Sequence, residues 1–247
     1  MYLLLSGEGS GDIGLCKPAA DFCDFQSFEV GPMGWVVDQL VEKFQGFEFS
    51  HLENNSFGFV SKSYLANNKE KPRKKSISLR GKKRPVETQL FYENARAMAV
   101  VAKMKSEEIK DQVVAVLFRD SDGTVSADRG NWRDKRESMC KGFKAEDFDL
   151  GVAMVPKPKS EAWLLCALKD NPYQHCKSIE EGSGNDEGKN PLKDQLSAIL
   201  SGKNNAVENS EKVKSGQIDV HRIDMPSFNV FKADLEIAVK AVVGGRP

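Results

Sequence analysis

Three short stretches of the chain are apolar without interruption, and glycine or charged residues follow each of them. They cover residues 3–6, 113–118 and 150–155. Strands that are apolar on both faces and separated by helices are typical of a parallel sheet that helices cover on both sides. The pattern therefore predicts an α/β fold with a mostly parallel sheet flanked by helices.

Helical periodicity fills the segments between and after these runs. Apolar residues at steps of three and four predict an amphipathic helix over about 34–46. A second helix is predicted from Pro85, a residue favoured in the first turn, to about Lys105. Short helices are predicted over 133–141 and 161–169. A C-terminal helix is predicted from buried-type residues at the same spacing, namely Phe228, Phe231, Leu235, Val239 and Val242.

Composition limits the class of protein. The chain has 247 residues, and 40% of them are apolar, which is enough for a sizeable core. Basic and acidic residues both number 36, and this balance excludes a generally basic nucleic-acid coat and an acidic disordered tail. No stretch approaches the ~18 uninterrupted apolar residues of a membrane span, so we expect no membrane association.

The cysteines and histidines show no metal-binding or catalytic spacing. Five cysteines occupy positions 16, 23, 140, 166 and 176 without a CxxC pair, and the three histidines are scattered. Cys166 lies in an apolar run and is interpreted as a buried thiol. An odd cysteine count in a chain whose opening is too short for a signal peptide predicts the reducing cytoplasm.

Charge is distributed unevenly along the chain. Residues 1–60 contain nine acids and two bases, whereas residues 61–110 contain fourteen bases and five acids. Nine of those bases lie in residues 69–84, where proline and glycine predict a loop or extended arm. Such an arm is either a solvated segment or a phosphate-binding surface. Its candidate nucleic-acid-binding residues are Arg73, Lys74, Lys75, Lys82, Lys83 and Arg84.

Acidic residues gather just after the predicted strands. Glu8 and Asp12 follow the first apolar run, among three glycines that allow a sharp turn. Asp120 and Asp122 follow the second run and, two residues apart, can share a face. Glu161 follows the third run. Because parallel sheets bind ligands at the carboxyl ends of their strands, we expect these side chains to converge in one crevice.

Converging carboxylates repel one another and need a compensating cation. Oxygen ligands without histidine or thiolate select Mg²⁺ or Mn²⁺, and such sites act on phosphate esters. Lys157 or Lys159 could add positive charge to the transition state. The structural alternative is that Glu8 and Asp12 cap a turn and that the Asp-x-Asp is an Asx-turn.

These residues resemble the TOPRIM domain, the Rossmann-like metal-binding fold shared by topoisomerases, primases and OLD-family nucleases. Glu8-Gly9 is similar to its glutamate-glycine pair after the first strand, and Asp120-Ser-Asp122 to its later Asp-x-Asp. Asp12 resembles the further acid of OLD-type nucleases. Residues 158–165 are similar to a segment of compact TOPRIM-like proteins in bacterial antiphage and abortive-infection systems.

The resemblance implies an endonuclease that uses two Mg²⁺ or Mn²⁺ ions to cleave DNA or RNA phosphodiesters. Glu8 would be the general acid/base or a metal ligand, and Lys159 would stabilise the pentacovalent phosphate. Glu161 would bind the second metal ion. The implied metal ligands are Glu8, Asp12, Asp120, Asp122 and Glu161.

The resemblance also implies an organisation and a partner. A TOPRIM-like catalytic core is expected over residues 1–169, with a basic insertion at about 47–85. Residues 170–247 are expected to be a loop and helical extension of the same domain. The chain lacks a GxxxxGK[ST] motif, so the resemblance implies a separate ATPase protein beside this cytoplasmic defence effector. A homo-oligomer is compatible with the sequence.

Two alternatives use the same residues differently. Residues 118–125 resemble the first motif of haloacid-dehalogenase-type phosphatases, in which Asp120 would be the nucleophile and Asp122 a general acid. That family normally begins with this strand and needs a later acid pair, for which residues 220–224 are a poor candidate. The phosphatase hypothesis also leaves Glu8 unexplained. The second alternative is a non-catalytic binding or regulatory subunit.

Overall fold

A computed structural model describes residues 1–8, 11–68, 86–121 and 131–244. Strands and helices alternate along much of the chain, and five of the strands form the main sheet. The strands are β1 (Tyr2–Gly7), β2 (Gly14–Cys16), β3 (Phe22–Cys23), β4 (Phe28–Val30), β5 (Phe57–Val60), β6 (Val113–Phe118) and β7 (Gly151–Met154). The α-helices are α1 (Pro32–Gln45), α2 (Lys62–Asn67), α3 (Val86–Ile109), α4 (Trp132–Ala145), α5 (Ser160–Leu168), α6 (Leu192–Ile199), α7 (Ala206–Lys214) and α8 (Pro226–Val243). Short 3₁₀ helices cover Cys176–Glu181 and Val220–Arg222.

The main sheet is mostly parallel. Its strand order is β3-β5-β1-β6-β7, in which β5, β1, β6 and β7 run parallel and β3 pairs antiparallel with β5. Strands β2 and β4 form a separate antiparallel pair. The predicted α/β class, with a mostly parallel sheet flanked by helices, is therefore confirmed.

Both faces of the sheet are buried, as its uninterrupted apolar strands predicted. Alternate residues of β1 enter different hydrophobic clusters: Leu3 and Leu5 belong to one, and Leu4 belongs to the other. The first cluster joins the sheet to α1, α5 and α8, and the second joins it to α3 and α4. This two-sided burial explains why the strands show no alternation of polar and apolar residues.

The C-terminal part is helical and packs into the core. Trp163 of α5 lies 4.9 Å from the ring centre of Phe228 and 5.8 Å from that of Phe231. All five apolar residues predicted to line the last helix are buried, so this helix is a core element. Among the described residues, none of the helices combines the length and the apolar character needed to cross a membrane.

The expected insertion at about 47–85 is continuous with the core over its first part. Strand β5 lies inside it and pairs with β1 in the centre of the sheet. Four residues that include Gly58 are too few to stand out as a strand in the sequence. Residues 69–85, which contain the whole basic arm, lie outside the described part of the chain.

The interpretation of the cysteines as reduced thiols was wrong for four of them. Cys16 pairs with Cys23, and Cys166, expected to be a buried thiol, pairs with Cys176. Among the described residues Cys140 is the free cysteine. The odd cysteine count therefore gives no support to a reducing compartment. The spacing of the cysteines did not predict the two disulfides, because each pair meets only where the chain reverses direction.

Asp38 of α1 and His51, six residues after the end of α1, are both buried titratable residues. Asp38 Oδ1 accepts the backbone N–H groups of His51 and Leu52 at 2.8 and 3.2 Å, and Oδ2 accepts the Ser50 hydroxyl at 2.6 Å. Burial raises the pKa of Asp38 to about 6 and lowers the pKa of His51 to about 4. The two shifts make opposite contributions to the pH dependence of stability.

We expect Asp38→Asn to reveal how His51 by itself changes the free energy of unfolding with pH. As pH falls from 6.5 to 4, His51 lowers the free energy of unfolding of the protein, because the folded state resists protonation of its ring. Over the same range Asp38 raises the free energy of unfolding, because its carboxylate takes up a proton more readily in the folded state. Each contribution is about 3 kcal/mol, so they nearly cancel. Urea unfolding from pH 4 to 8 should show Asp38→Asn losing about 3 kcal/mol more than wild type on acidification.

The His51→Gln variant provides the opposite control. It retains Asp38, so its free energy of unfolding should rise as pH falls through the same range. The amide introduced by Asp38→Asn can still accept both backbone N–H groups and donate to Ser50, so that variant should fold. Parallel pH profiles for wild type and both variants would contradict this account.

Candidate functional site

The carboxyl ends of three parallel strands meet at one edge of the sheet. Gly7 pairs in register with Phe118, and Phe118 pairs with Met154, so β1, β6 and β7 end side by side. The chain crosses from β5 over β1 to β6, which makes the gap between β1 and β6 a topological switch point. Ligands of open α/β sheets bind outside the strand ends at this point. Glu8 and Asp120 follow the two strands that flank it.

Glu8 has two cationic neighbours that the sequence analysis did not single out. Its Oε2 lies 3.1 Å from Arg119 Nη2 and 3.1 Å from Lys62 Nζ. The Arg119 guanidinium also lies over the Phe91 ring, 4.7 Å from its centre. Arg119 directly precedes Asp120, so its position at a strand end was a signal in the sequence. The Glu8 carboxylate is thus held by Arg119, which directly follows β6, and by Lys62 of α2.

Ser160 joins Asp12 and Asp120. Its backbone N–H donates to Asp120 Oδ1 at 2.9 Å, and its hydroxyl donates to Asp12 Oδ1 at 2.6 Å. Lys159 occupies the N-cap position of α5 without a side-chain cap bond. The Asp120 carboxylate, 40 residues earlier in the sequence, caps this end of the helix instead. Two acids predicted to converge therefore contact one residue.

Asp12 is fixed by a close approach of its backbone to the start of α1. The backbone N–H of Met33 donates to the Asp12 carbonyl at 2.9 Å. A Cβ atom at Gly31 would lie 2.2 Å from that carbonyl oxygen. Glycine is therefore required at position 31 for α1 to hold the loop that carries Asp12.

Glu161 and Lys159 occupy the start of α5 beside these acids. Burial, with the nearby charge of Asp12 as a smaller cause, raises the pKa of Glu161. Lys159 Nζ lies 2.9 Å from Asp186 Oδ1, in the segment before α6. Burial is thus the main reason that Glu161 resists ionisation.

A buried lysine supports the segment after β6. Lys135 of α4 is 1% exposed, and its ammonium group donates to the Ser121 carbonyl. It also lies 5.9 Å from the centre of the Phe91 ring, which Arg119 contacts as well. Ser121 in turn donates its hydroxyl to the Pro158 carbonyl at 3.1 Å. These contacts join the ends of β6 and β7.

Several of the predicted site residues lie outside the described ranges. Asp122 is one, and the six basic-arm residues Arg73, Lys74, Lys75, Lys82, Lys83 and Arg84 are the others. Within the described ranges, none of the groups of three or more His, Cys, Asp or Glu residues has an arrangement that could hold a metal ion. That statement does not cover Asp122, an expected metal ligand, because this residue lies outside the described ranges.

A cleft of about 710 Å³ lies next to Glu8 on the β5 side of the sheet edge. Gly7, Asp21, Phe59, Ser61 and Lys62 are among the residues that line it. Lys62 belongs both to this cleft and to the ion pair with Glu8. An extended polar ligand in this cleft would therefore reach the switch point beside a lysine.

Comparison with protein-family models, curated proteins and solved structures gave no match for this chain.

Proposed function

We propose that the protein is a divalent-metal-dependent nuclease of TOPRIM-like type, which cleaves phosphodiester bonds of DNA or RNA. The observation that carries the proposal is that Glu8 and Asp120 follow the two strands that flank the β1/β6 switch point, where α/β sheets bind ligands, and that Ser160 bonds to both Asp120 and Asp12. Glu161 adds a fourth carboxyl group beside Asp12. An acid cluster at this position suits a site that binds phosphate through cations.

The ligand chemistry of these acids suits Mg²⁺ or Mn²⁺, because they offer only oxygen atoms. Glu8, Asp12, Asp120 and Glu161 would hold the ions, with Asp122 as the further ligand expected from the sequence. Bound divalent ions would activate water and screen the phosphate charge. Arg119 and Lys62 would orient the phosphate beside Glu8, and Glu8 would accept the proton of the attacking water.

The biological setting rests on the resemblance alone. It favours an effector of a bacterial antiphage system of the abortive-infection type, acting in the cytoplasm with a separate ATPase protein. The basic arm would hold the nucleic-acid backbone by charge in this proposal. Lys159 would stabilise the transition state after release from Asp186.

The Glu8→Gln variant tests the proposed function. We expect it to reduce kcat for Mg²⁺- or Mn²⁺-dependent cleavage by about a hundredfold or more, because a general base typically contributes that factor. The amide retains an oxygen that can accept from Arg119 and Lys62, so the fold should persist. The assay would follow single- and double-stranded DNA and RNA in gels, with and without a chelator.

Glu137→Gln is the matched control, since Glu137 pairs with Lys141 on the exposed face of α4. It should cleave at the wild-type rate. Equal cleavage by Glu8→Gln and wild type would contradict the catalytic role of Glu8. An aspartyl-phosphate adduct that forms at Asp120 without Glu8 would favour the phosphatase alternative. Failure of the wild type to cleave any of the four substrates would overturn the proposal.

A further inference from the structure

A lysine is enclosed in the core beside the candidate site. Lys135 of α4 is 1% exposed, and its ammonium group donates to the carbonyl oxygen of Ser121. Lysine is almost never fully buried unless it is paired, because removing its charge from water is costly. An apolar side chain would fill this position without that cost. Lys135 is also buried too deeply to contact a bound substrate.

Ser121 connects Lys135 to the strand ends. Its N–H group donates to the Pro156 carbonyl at 3.2 Å, and its hydroxyl donates to the Pro158 carbonyl at 3.1 Å. With the bond from Lys135, the N–H, hydroxyl and carbonyl groups of Ser121 all have partners. Ser121 directly follows Asp120 in the chain. Contacts that fix the backbone of Ser121 therefore also limit where the Asp120 carboxylate can lie.

The start of α4 holds the ends of β6 and β7 together. Trp132 donates its indole N–H to the Val155 carbonyl at 2.7 Å, just beyond the end of β7. Lys135, nearly one turn further along the helix, donates to the chain just beyond the end of β6. The segments after these two strands carry Asp120 and Ser160, and the Ser160 N–H donates to Asp120 Oδ1 at 2.9 Å. The start of α4 therefore helps to set the distance between them.

The Phe91 ring joins Lys135 to a second cation of the site. The Lys135 ammonium lies 5.9 Å from the centre of this ring, and the Arg119 guanidinium lies 4.7 Å from it. Phe91 belongs to α3 and is 1% exposed, so the core fixes its position. Arg119 in turn pairs with Glu8 at 3.1 Å. Lys135 thus holds the chain on both sides of Asp120, directly on one side and through the ring on the other.

We propose that Lys135 is a positioning residue, which fixes the Asp120 carboxylate at the β1/β6 switch point without touching the substrate. The ammonium group acts through Ser121 and through the Phe91 ring. Its effect on the geometry of Asp120 depends on these contacts alone, whereas its effect on cleavage rests on the proposed function. When the ammonium group is removed, Asp120 loses its alignment with the Ser160 N–H.

Hydrogen exchange of the Ser160 amide measures this alignment without metal or substrate, because that N–H donates to Asp120 Oδ1. Lys135→Met keeps an unbranched side chain of similar length but removes the charge and the donors. In the full-length variant we expect the Ser160 amide to exchange about tenfold faster than in wild type, as the loss of a hydrogen bond from a charged donor implies. The Lys169 amide, which bonds to Leu165 at the other end of α5, should be unchanged. Unchanged exchange at Ser160, or equal acceleration of both amides, would overturn the proposal.

Lys103→Met is the matched control. Lys103 lies in α3, and its ammonium group also donates to a backbone carbonyl, that of Glu146 just after α4. This bond lies at the other end of α4 from Lys135, so the control should leave the Ser160 amide unchanged even if its Tm falls. Lys135→Gln, whose amide donor is one atom shorter, replaces the methionine variant if that variant does not fold, and we expect a smaller change in the same direction. Equal effects of the Lys103 and Lys135 variants on the Ser160 amide would overturn the assignment.

Cleavage kinetics test the part that rests on the proposed function. We expect Lys135→Met to lower kcat by about tenfold to a hundredfold, the range typical of residues that orient a site, and to leave KM for the nucleic acid nearly unchanged. Lys103→Met should cleave at the wild-type rate. Faster exchange at Ser160 with an unchanged kcat would overturn the link to cleavage. Absence of cleavage by the wild type would contradict the proposed function instead, and the exchange result would still decide whether Lys135 positions Asp120.

Discussion

An Asp120→Asn variant should lose metal-dependent cleavage by at least about a hundredfold while remaining as stable as the wild type. Loss of groups that only orient metal ligands typically costs 10–100-fold, so loss of a ligand charge should cost about 100-fold or more. Stability should persist because the amide oxygen of asparagine can still accept the Ser160 N–H that caps α5. Cleavage assays and thermal unfolding would measure the two effects separately.

Asp120→Ala separates the chemical role of this residue from its structural role. Without the side-chain oxygen, the first N–H of α5 loses its cap, and loss of a cap costs about 1 kcal/mol. We therefore expect the alanine variant to be inactive and less stable, and the asparagine variant to be inactive only. Asp149→Asn, at an exposed position before β7, is the control. Full activity in Asp120→Asn would remove Asp120 from the catalytic machinery.

A Glu180→Ala variant should be destabilised by about 3 kcal/mol. Glu180 is 4% exposed, and its Oε1 accepts both the backbone N–H and the hydroxyl of Ser227, at 2.8 and 2.6 Å. Ser227 lies in the first turn of α8 and also accepts from the Trp163 indole at 2.9 Å. Each of the two buried donors that alanine would leave unsatisfied costs about 1–3 kcal/mol. Urea unfolding under oxidising conditions would measure the loss.

Two further variants serve as controls for the expected destabilisation of Glu180→Ala. Glu180→Gln keeps an oxygen that can accept from Ser227, so we expect it to lose only about 1 kcal/mol. Glu181→Ala changes the exposed neighbour and should have little effect. If Glu180→Ala and Glu181→Ala unfolded at the same urea concentration, Glu180 would have no role in holding α5, α8 and the intervening 3₁₀ helix together.

The local sequence was sufficient to predict the strands and helices that have a clear hydrophobic pattern of their own. Strands β1 and β6 have six residues each, and both of their faces are buried, so an unbroken apolar run identified them. The helical spacing of α8 was equally clear, because one side of it faces the core along 18 residues. Strand β5 was missed because its burial comes from its neighbours in the sheet rather than from a long apolar run.

The candidate site was predictable only in part for a similar reason. That Glu8 and Asp120 end strands is a local property, and it placed both acids at the same edge of the sheet. The bonds from Ser160 to Asp120 and Asp12 span 40 and 148 residues, so they depend on strand order and helix placement. Arg119 adjoins the Asp-x-Asp motif in the sequence, but no local pattern predicts that Arg119 or Lys62 contacts Glu8. Only the fold brings them to Glu8.

The two-residue strand β3 affects how copies of the protein can meet. An exposed sheet edge is a template on which a strand from another molecule can add, and this is a common start of aggregation. Here β3 occupies the outer side of β5, and the bond between Cys16 and Cys23 ties it to the β2 segment. An incoming chain would have to displace a covalently tethered segment before it could pair with β5. The cross-link thus holds β3 against β5 at the margin of the sheet that lies farthest from β7.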